Sequence, residues 1–166
     1  MSLDNPTLEG RLGRIFQINT SNGGVPKLSR RIAEVTFNGI VGDSQRNLEV
    51  HGGPERTLCL YSLERILALQ AEGHPIYPGS AGENLTLSGL DWPLIYPGVR
   101  LQLGVSVLVQ VTRYTSPCNT ISASFIENDY SLISQNIYPG WSRVYAQVLQ
   151  PGLIQVSDAV RIPSED

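Results

Sequence analysis

The sequence predicts a mainly β protein: a closed or nearly closed, largely antiparallel β-barrel with two or three short helices. Period-two alternation recurs, most plainly where the valines at 105, 107, 109 and 111 fall on one face of a strand. Sixteen glycines and eleven prolines among 166 residues supply the tight turns that short strands need. With strands adjacent in sequence, closing the sheet is the economical way to remove its edges. Hydrophobic residues at 41% against 16% charged give a folded chain with one sizeable core.

Residues 1–10 read as a flexible arm, 11–162 as a single barrel domain, and 163–166 as a tail. Early strands are expected around 13–18, 32–37, 57–61 and 84–87. Ser62 can cap a helix in which Leu63, Ile66 and Leu67 share a face, with Glu64 in its first turn and Gly73 as its stop. Gly104 separates a run at 99–103 from the valine strand, which makes a hairpin. Weaker helical stretches follow at 121–126 and 130–136. Val144, Ala146 and Val148 then alternate with Arg143, Tyr145 and Gln147, Pro151-Gly152 signals a turn, and 153–156 reads as a return strand. One more short strand is expected at 159–162. Ile-Tyr-Pro-Gly occurs at 76–79, 95–98 and 137–140; Pro-Gly suits the centre of a type II turn, with the tyrosine as a packing anchor before it.

Several function classes are disfavoured. A net charge of −3 without a basic run does not suit a nucleic-acid backbone reader or a protein held on anionic lipid. No segment reaches the roughly twenty apolar residues that span a bilayer, and the N-terminus lacks a secretory pattern. The expectation is therefore a cytoplasmic protein with reduced thiols. Cys59 and Cys118 are too few for a disulfide framework, and with His51 and His74 they show no zinc spacing. Eleven of the twelve basic residues are arginines and Lys27 is the only lysine, a balance that suits planar oxyanions and restricts imine chemistry.

Cys118 is the leading candidate for chemistry. It closes the polar segment Thr112-Arg113-Tyr114-Thr115-Ser116-Pro117-Cys118, after the strongest strand and before an expected helix, whose exposed amides favour a thiolate. Cys59, inside Leu58-Cys59-Leu60, reads as core. Gly39-Ile40-Val41-Gly42-Asp43 is a glycine-shaped turn ending in a carboxylate. His51-Gly52-Gly53-Pro54 follows, between Arg46 and Arg56, a loop able to cradle an oxyanion. Gly82-Glu83-Asn84 presents a carboxylate and an amide ahead of a strand; alone it reads as a turn with a solvated glutamate. Lys27 follows a glycine pair, and Arg143 follows Gly140-Trp141-Ser142 as a further arginine for an anion site or as an outward strand residue.

These pieces resemble the MOSC domain, found at the C-terminus of molybdenum cofactor sulfurases and as free-standing bacterial proteins. The matching residues are Gly39-Ile40-Val41-Gly42-Asp43, His51-Gly52-Gly53-Pro54-Glu55-Arg56, Gly82-Glu83-Asn84-Leu85, Gly89-Leu90-Asp91-Trp92, Pro117-Cys118, and the tail from Pro139-Gly140-Trp141-Ser142-Arg143 to Gly152. They run in the family's order over nearly the whole chain. The resemblance implies a β-barrel decorated with helices, and a Cys118 that carries sulfane sulfur or ligates the molybdenum of a pterin cofactor. Both jobs need a thiolate. It further implies Lys27, Arg46, His51, Arg56, Glu83, Asn84 and Arg143 as cofactor-binding residues, with Asp43 and Arg113 in support. Related proteins reduce N-hydroxylated compounds, so a molybdenum-dependent oxidoreductase served by a separate redox partner is one expectation. A non-catalytic sulfur or cofactor carrier, served by a sulfur donor, is the alternative. In the family a basic residue often stands where this chain has Thr115, and Arg113 is the nearest arginine. Pyridoxal phosphate is a family-level association; here only Lys27 could hold it covalently, and that loop lysine has no recognisable phosphate site. A cysteine hydrolase built on Cys118, His51 and Asp43 remains a third reading of the same loops.

Overall fold

Seven strands close into a ring in the computed structural model of the chain, which describes residues 10–44 and 54–164. The strands are β1 (Leu12–Thr20), β2 (Leu28–Arg30), β3 (Ile32–Thr36), β4 (Gly39–Ile40), β5 (Leu58–Ser62), β6 (Leu85–Ser88), β7 (Arg100–Leu103), β8 (Val107–Tyr114), β9 (Val144–Gln150), β10 (Gly152–Gln155) and β11 (Ala159–Arg161). The ring runs β11, β7, β8, β9, β5, β6, β1, and β1 pairs with β11 through Leu12↔Arg161 to close it. β2 extends the sheet beside the far end of β1, and β10, β3 and β4 form a separate small sheet. The predicted barrel is therefore the observed fold.

Alternation determines what the ring encloses. Leu58, Leu60, Leu85, Leu87, Val107, Val109, Val111, Val144 and Ala146 are all at most 1% exposed and stack as the barrel core. Val105 is not among them. It sits in the turn between β7 and β8 and is 96% exposed, because the hairpin needs Gly104 to Ser106 to reverse direction. The expected return strand at 153–156 also pairs differently: β10 leaves the ring and joins β3, with Gly152 opposite Val35 and Gln155 opposite Ile32.

All ring neighbours are antiparallel except β5 and β6. A parallel pair requires a crossover, and the chain supplies it with the helix α1 (Leu63–Ala71). Ser62 caps α1 by accepting a hydrogen bond from Arg65 N at 3.1 Å. The stripe that α1 buries is Ile66 and Leu69; Leu67 is half exposed, so the buried stripe is rotated from the expected one. The later helical stretches are short 3₁₀ segments, Asn119–Ser124, Ile126–Asn128 and Tyr130–Ile133. Ile121, Phe125 and Ile133 from this region are buried and extend the apolar core beyond the barrel wall.

All three Tyr-Pro-Gly segments adopt one turn. Ser80, Val99 and Trp141 donate their backbone N–H to Tyr77, Tyr96 and Tyr138 at 2.9, 3.1 and 3.2 Å, and the glycines have φ of 93°, 100° and 91°. The expected tyrosine anchors, however, are exposed. Ile76 and Ile95 pack inward in the first two copies, whereas Ile137 is exposed in the third. In those two copies the aliphatic side chain fills the core while the phenol keeps its hydroxyl in water.

Candidate functional site

A polar layer lies on the outer face of the barrel wall. Cys59 is the register partner of Tyr145, and Tyr61 is the partner of Thr86. Alternation turns all four away from the barrel core, yet each is at most 7% exposed. A second layer covers them: α1 packs on β5 and β6, and the turn Pro54–Arg56 packs on β8 and β9. Residues that read as outward-facing strand positions are thus enclosed.

Asp43 ends the turn expected for it: its N–H donates to Ile40 O at 3.0 Å, and Gly42 takes a φ of 89°. Its Oδ1 lies 2.6 Å from Lys27 Nζ and accepts from Ser21 N at 2.9 Å, and its Oδ2 accepts from Asn84 Nδ2 at 2.8 Å. Asn84 joins this cluster to the barrel, because its Oδ1 accepts from Cys59 N at 2.8 Å and its own N–H donates to Cys59 O at 2.7 Å. Lys27 and Asp43 side chains are each 8% exposed, an ion pair held largely out of water.

Glu83 is not the solvated residue that a turn reading suggests. It is 0% exposed, its Oε1 accepts from Gly79 N at 2.8 Å, and its Oε2 finds no hydrogen-bond partner among the described residues. Burial pushes its carboxyl up to about 7, against the pull of backbone amides and the Arg143 guanidinium. Arg143 is not outward either. It is 6% exposed, its Nη1 donates to Ala81 O at 2.7 Å, and its Nε finds no partner among the described residues.

The segment that carries Arg143 is fixed carbonyl by carbonyl. Gly140 O accepts from Arg65 Nε at 3.0 Å, Trp141 O from Tyr61 Oη at 2.6 Å, and Ser142 O from Trp92 Nε1 at 2.9 Å. Arg143 O accepts from Thr115 N at 3.0 Å and from Ser142 Oγ at 2.7 Å. The Arg65 guanidinium also lies 4.7 Å from the Trp141 ring centroid. A guanidinium on so constrained a backbone is preorganised for whatever it binds.

Cys118 caps the first 3₁₀ segment and is half-buried, with its Sγ 2.9 Å from Thr120 Oγ1. Cys59 is buried as expected, 3.8 Å from Thr115 Oγ1, and burial pushes its thiol up. Tyr145, the register partner of Cys59, is a residue that sequence reasoning missed because it alternates with core residues. Burial first, then Cys59, push its phenol up to about 12, while Arg143 and Arg56 pull it down and Cys118 opposes them. The Arg56 guanidinium lies 5.9 Å from its ring centroid. Arg113 points elsewhere: it is exposed and 3.7 Å from Glu55, whose carbonyl accepts from Thr112 Oγ1. Arg46 and His51 lie outside the described residues. His74 stands apart, accepting from Ile126 N at 3.1 Å beyond the end of α1. Among the described residues no three histidine, cysteine, aspartate or glutamate side chains gather as a metal cluster. No helix among them is long and apolar enough to cross a membrane.

Fold and site together define a β-barrel whose polar outer wall is roofed by short helical segments and carries a thiol and guanidiniums. The sequence profile of the MOSC domain matches residues 47–161, and the chain belongs to that family. The family is associated with molybdenum-cofactor proteins. Protein YiiM of Escherichia coli (strain K12) is 33% identical over 135 residues, covering 76% of this chain and 57% of that protein. The uncharacterized protein YflK of Bacillus subtilis (strain 168) is 31% identical over 114 residues, 68% of this chain and 50% of that one. The chain thus spans about half the length of these curated relatives. The crystal structure of YiiM from Escherichia coli superposes with a TM-score of 0.69 at 25% identity, covering 93% of this chain and 71% of that one. YiiM from Geobacillus stearothermophilus, at 23% identity, shares the fold with a TM-score of 0.70 over 92% of this chain and 75% of that one.

Proposed function

We propose that this chain binds a molybdenum-pterin cofactor against the roofed outer wall of the barrel, with Cys118 as the sulfur ligand. The observation that carries this reading is the pair of unpartnered buried polar atoms, Glu83 Oε2 and Arg143 Nε, beside a wall on which the Arg56 guanidinium lies over the Tyr145 ring. Of the two cysteines, Cys118 is the one with solvent access, which a soft metal ligand arriving from outside requires. The donor set suits the group: guanidiniums match its phosphate, and the unpartnered Glu83 Oε2 and Arg143 Nε offer buried polar contacts. When bound, the group supplies two-electron chemistry, here the reduction of N-hydroxylated compounds with electrons from a separate redox partner.

The chain's own residues bind and orient. The constrained 140–143 backbone sets the direction of Arg143, and Arg56 adds positive charge over Tyr145. Arg46 and His51 are proposed as further contacts to the cofactor. Asp43 and Asn84 serve by holding Lys27 and the edge of β5 in place. Pyridoxal phosphate has no part in this reading: the Lys27 amine is ion-paired and buried, not the free nucleophile that imine formation needs.

The carrier reading rests on the same thiol, whose partial exposure and Thr120 contact also suit a sulfur handed from a donor to an acceptor protein. Molybdenum and released pterin, measured in protein purified from a cofactor-competent host, decide between them. Cofactor binding predicts both in comparable amounts and their loss in Cys118→Ala. Metal-free protein that takes up cyanide-labile sulfur on Cys118 establishes the carrier instead. The reductase step has its own assay, turnover of an N-hydroxylated purine with an added electron donor, and no turnover removes it.

A further inference from the structure

Two atoms at the site lack partners for opposite reasons. Among the described residues Arg143 Nε is a donor without an acceptor, and Glu83 Oε2 is an oxygen without a hydrogen-bond partner. Both belong to side chains more than nine-tenths buried, and each side chain is already fixed at its other end, by Ala81 O and Gly79 N. Leaving such groups unsatisfied is costly, so a guest that satisfies them is favoured. An ionised Glu83 repels an anion. A protonated Glu83 turns Oε2 into an O–H donor, and Nε–H and Oε2–H can then both donate to an oxyanion.

We propose that Glu83 and Arg143 form a proton-linked oxyanion subsite, in which an anionic group engaged by Arg143 is taken up together with a proton on Glu83. This rests on the reading of Arg143 as an anion-binding residue and adds how that binding is regulated. The charged and titratable groups around Glu83 from the described residues are Arg143, ahead of β9, and Cys59 and Tyr61 on β5; Lys27, ahead of β2, acts on Cys59. Burial keeps Cys59 and Tyr61 neutral near pH 7. Among the described residues, Arg143 is the neighbouring charge that holds the Glu83 carboxyl down. An anion that offsets it removes that pull, and the carboxyl, poised near neutrality, gains a proton.

Calorimetric titration of the full chain with sulfate, whose charge is constant across the neutral range, tests this in buffers of different ionisation enthalpy. Binding with net proton uptake is expected, with affinity falling by up to about tenfold per pH unit above neutrality. Glu83→Gln, a neutral donor of the same shape, should bind without proton uptake and without that slope. Infrared difference spectra of the wild-type protein should show a protonated-carboxyl band growing on sulfate addition, which keeps the test open if the variant misfolds. Sulfate binding with no proton uptake and no carboxyl band overturns the linkage and leaves the anion-binding reading of Arg143 intact. No sulfate binding, with Arg143→Gln behaving as wild type, overturns both.

Discussion

Lys27 Nζ and Asp43 Oδ1 meet at 2.6 Å across 16 residues of sequence, and the same carboxylate accepts from Ser21 N and Asn84 Nδ2. One aspartate thereby ties the end of β1, the segment leading into β2, and the entrance to β6. Removing it strands a buried cation and two donors. Asp43→Ala should cost about 3 kcal/mol, and Lys27→Met in the same background should restore part of the loss. Urea denaturation of the two single variants and the double checks this; purely additive losses would show that the pair is not coupled.

Glu83 gives stability a pH dependence of definite sign. Its carboxyl is raised from 4.5 in the unfolded chain to about 7 in the fold, so between these values the folded state holds the extra proton. Stability from this group is full below the lower value and is lost as pH rises to the upper one, by about 3 kcal/mol in all. Glu83→Gln should remove that decline and unfold at higher denaturant than the wild type at about pH 8. Denaturation midpoints across the range report it, and parallel profiles for the two proteins would refute it.

The two thiols should separate cleanly. A disulfide reagent added to native protein should label Cys118 and leave Cys59 untouched until denaturant is added, because burial both shields Cys59 and disfavours its thiolate. Cys118→Ser should abolish labelling of the native state. Rapid labelling of Cys59 would mean that the roof over the outer wall opens readily.

The repeated turns offer a matched pair. Gly79 and Gly98 share a positive φ, but a Cβ on Gly79 would lie 2.5 Å from Lys27 O, whereas a Cβ on Gly98 meets nothing within 4 Å. Gly98→Ala should therefore cost about 1 kcal/mol from backbone strain alone. Gly79→Ala should cost more and should also weaken the site, since Gly79 N holds Glu83. Thermal midpoints of the two variants test the difference; equal losses would mean that the Lys27 backbone yields freely.

The barrel was legible because its signal is local: an apolar residue at every second position of β5, β6, β8 and β9 can only mean one buried face. β2 and β4 were not legible, since the three residues of β2 are all exposed and the two of β4 carry no period. The site was half legible. Cys118, Asp43, Glu83 and Arg143 stand out as reactive types beside glycine and proline, and the MOSC pattern gathers them. Tyr145 and the burial of Arg143 were hidden for one reason. Alternation records which face is apolar, but it cannot record that a second layer of chain roofs the polar face as well.

The pairing of Leu12 with Arg161 places residues 149 positions apart in sequence side by side on neighbouring strands. Seen from the ring, the order in which the chain visits the strands is incidental. A short linker between those strand ends, with the chain cut at the exposed turn around Val105, would yield a circularly permuted protein. In it, Lys27, Glu83, Cys118 and Arg143 would keep their neighbours while their places in the chain change. Function in this architecture belongs to the closed circuit of strands.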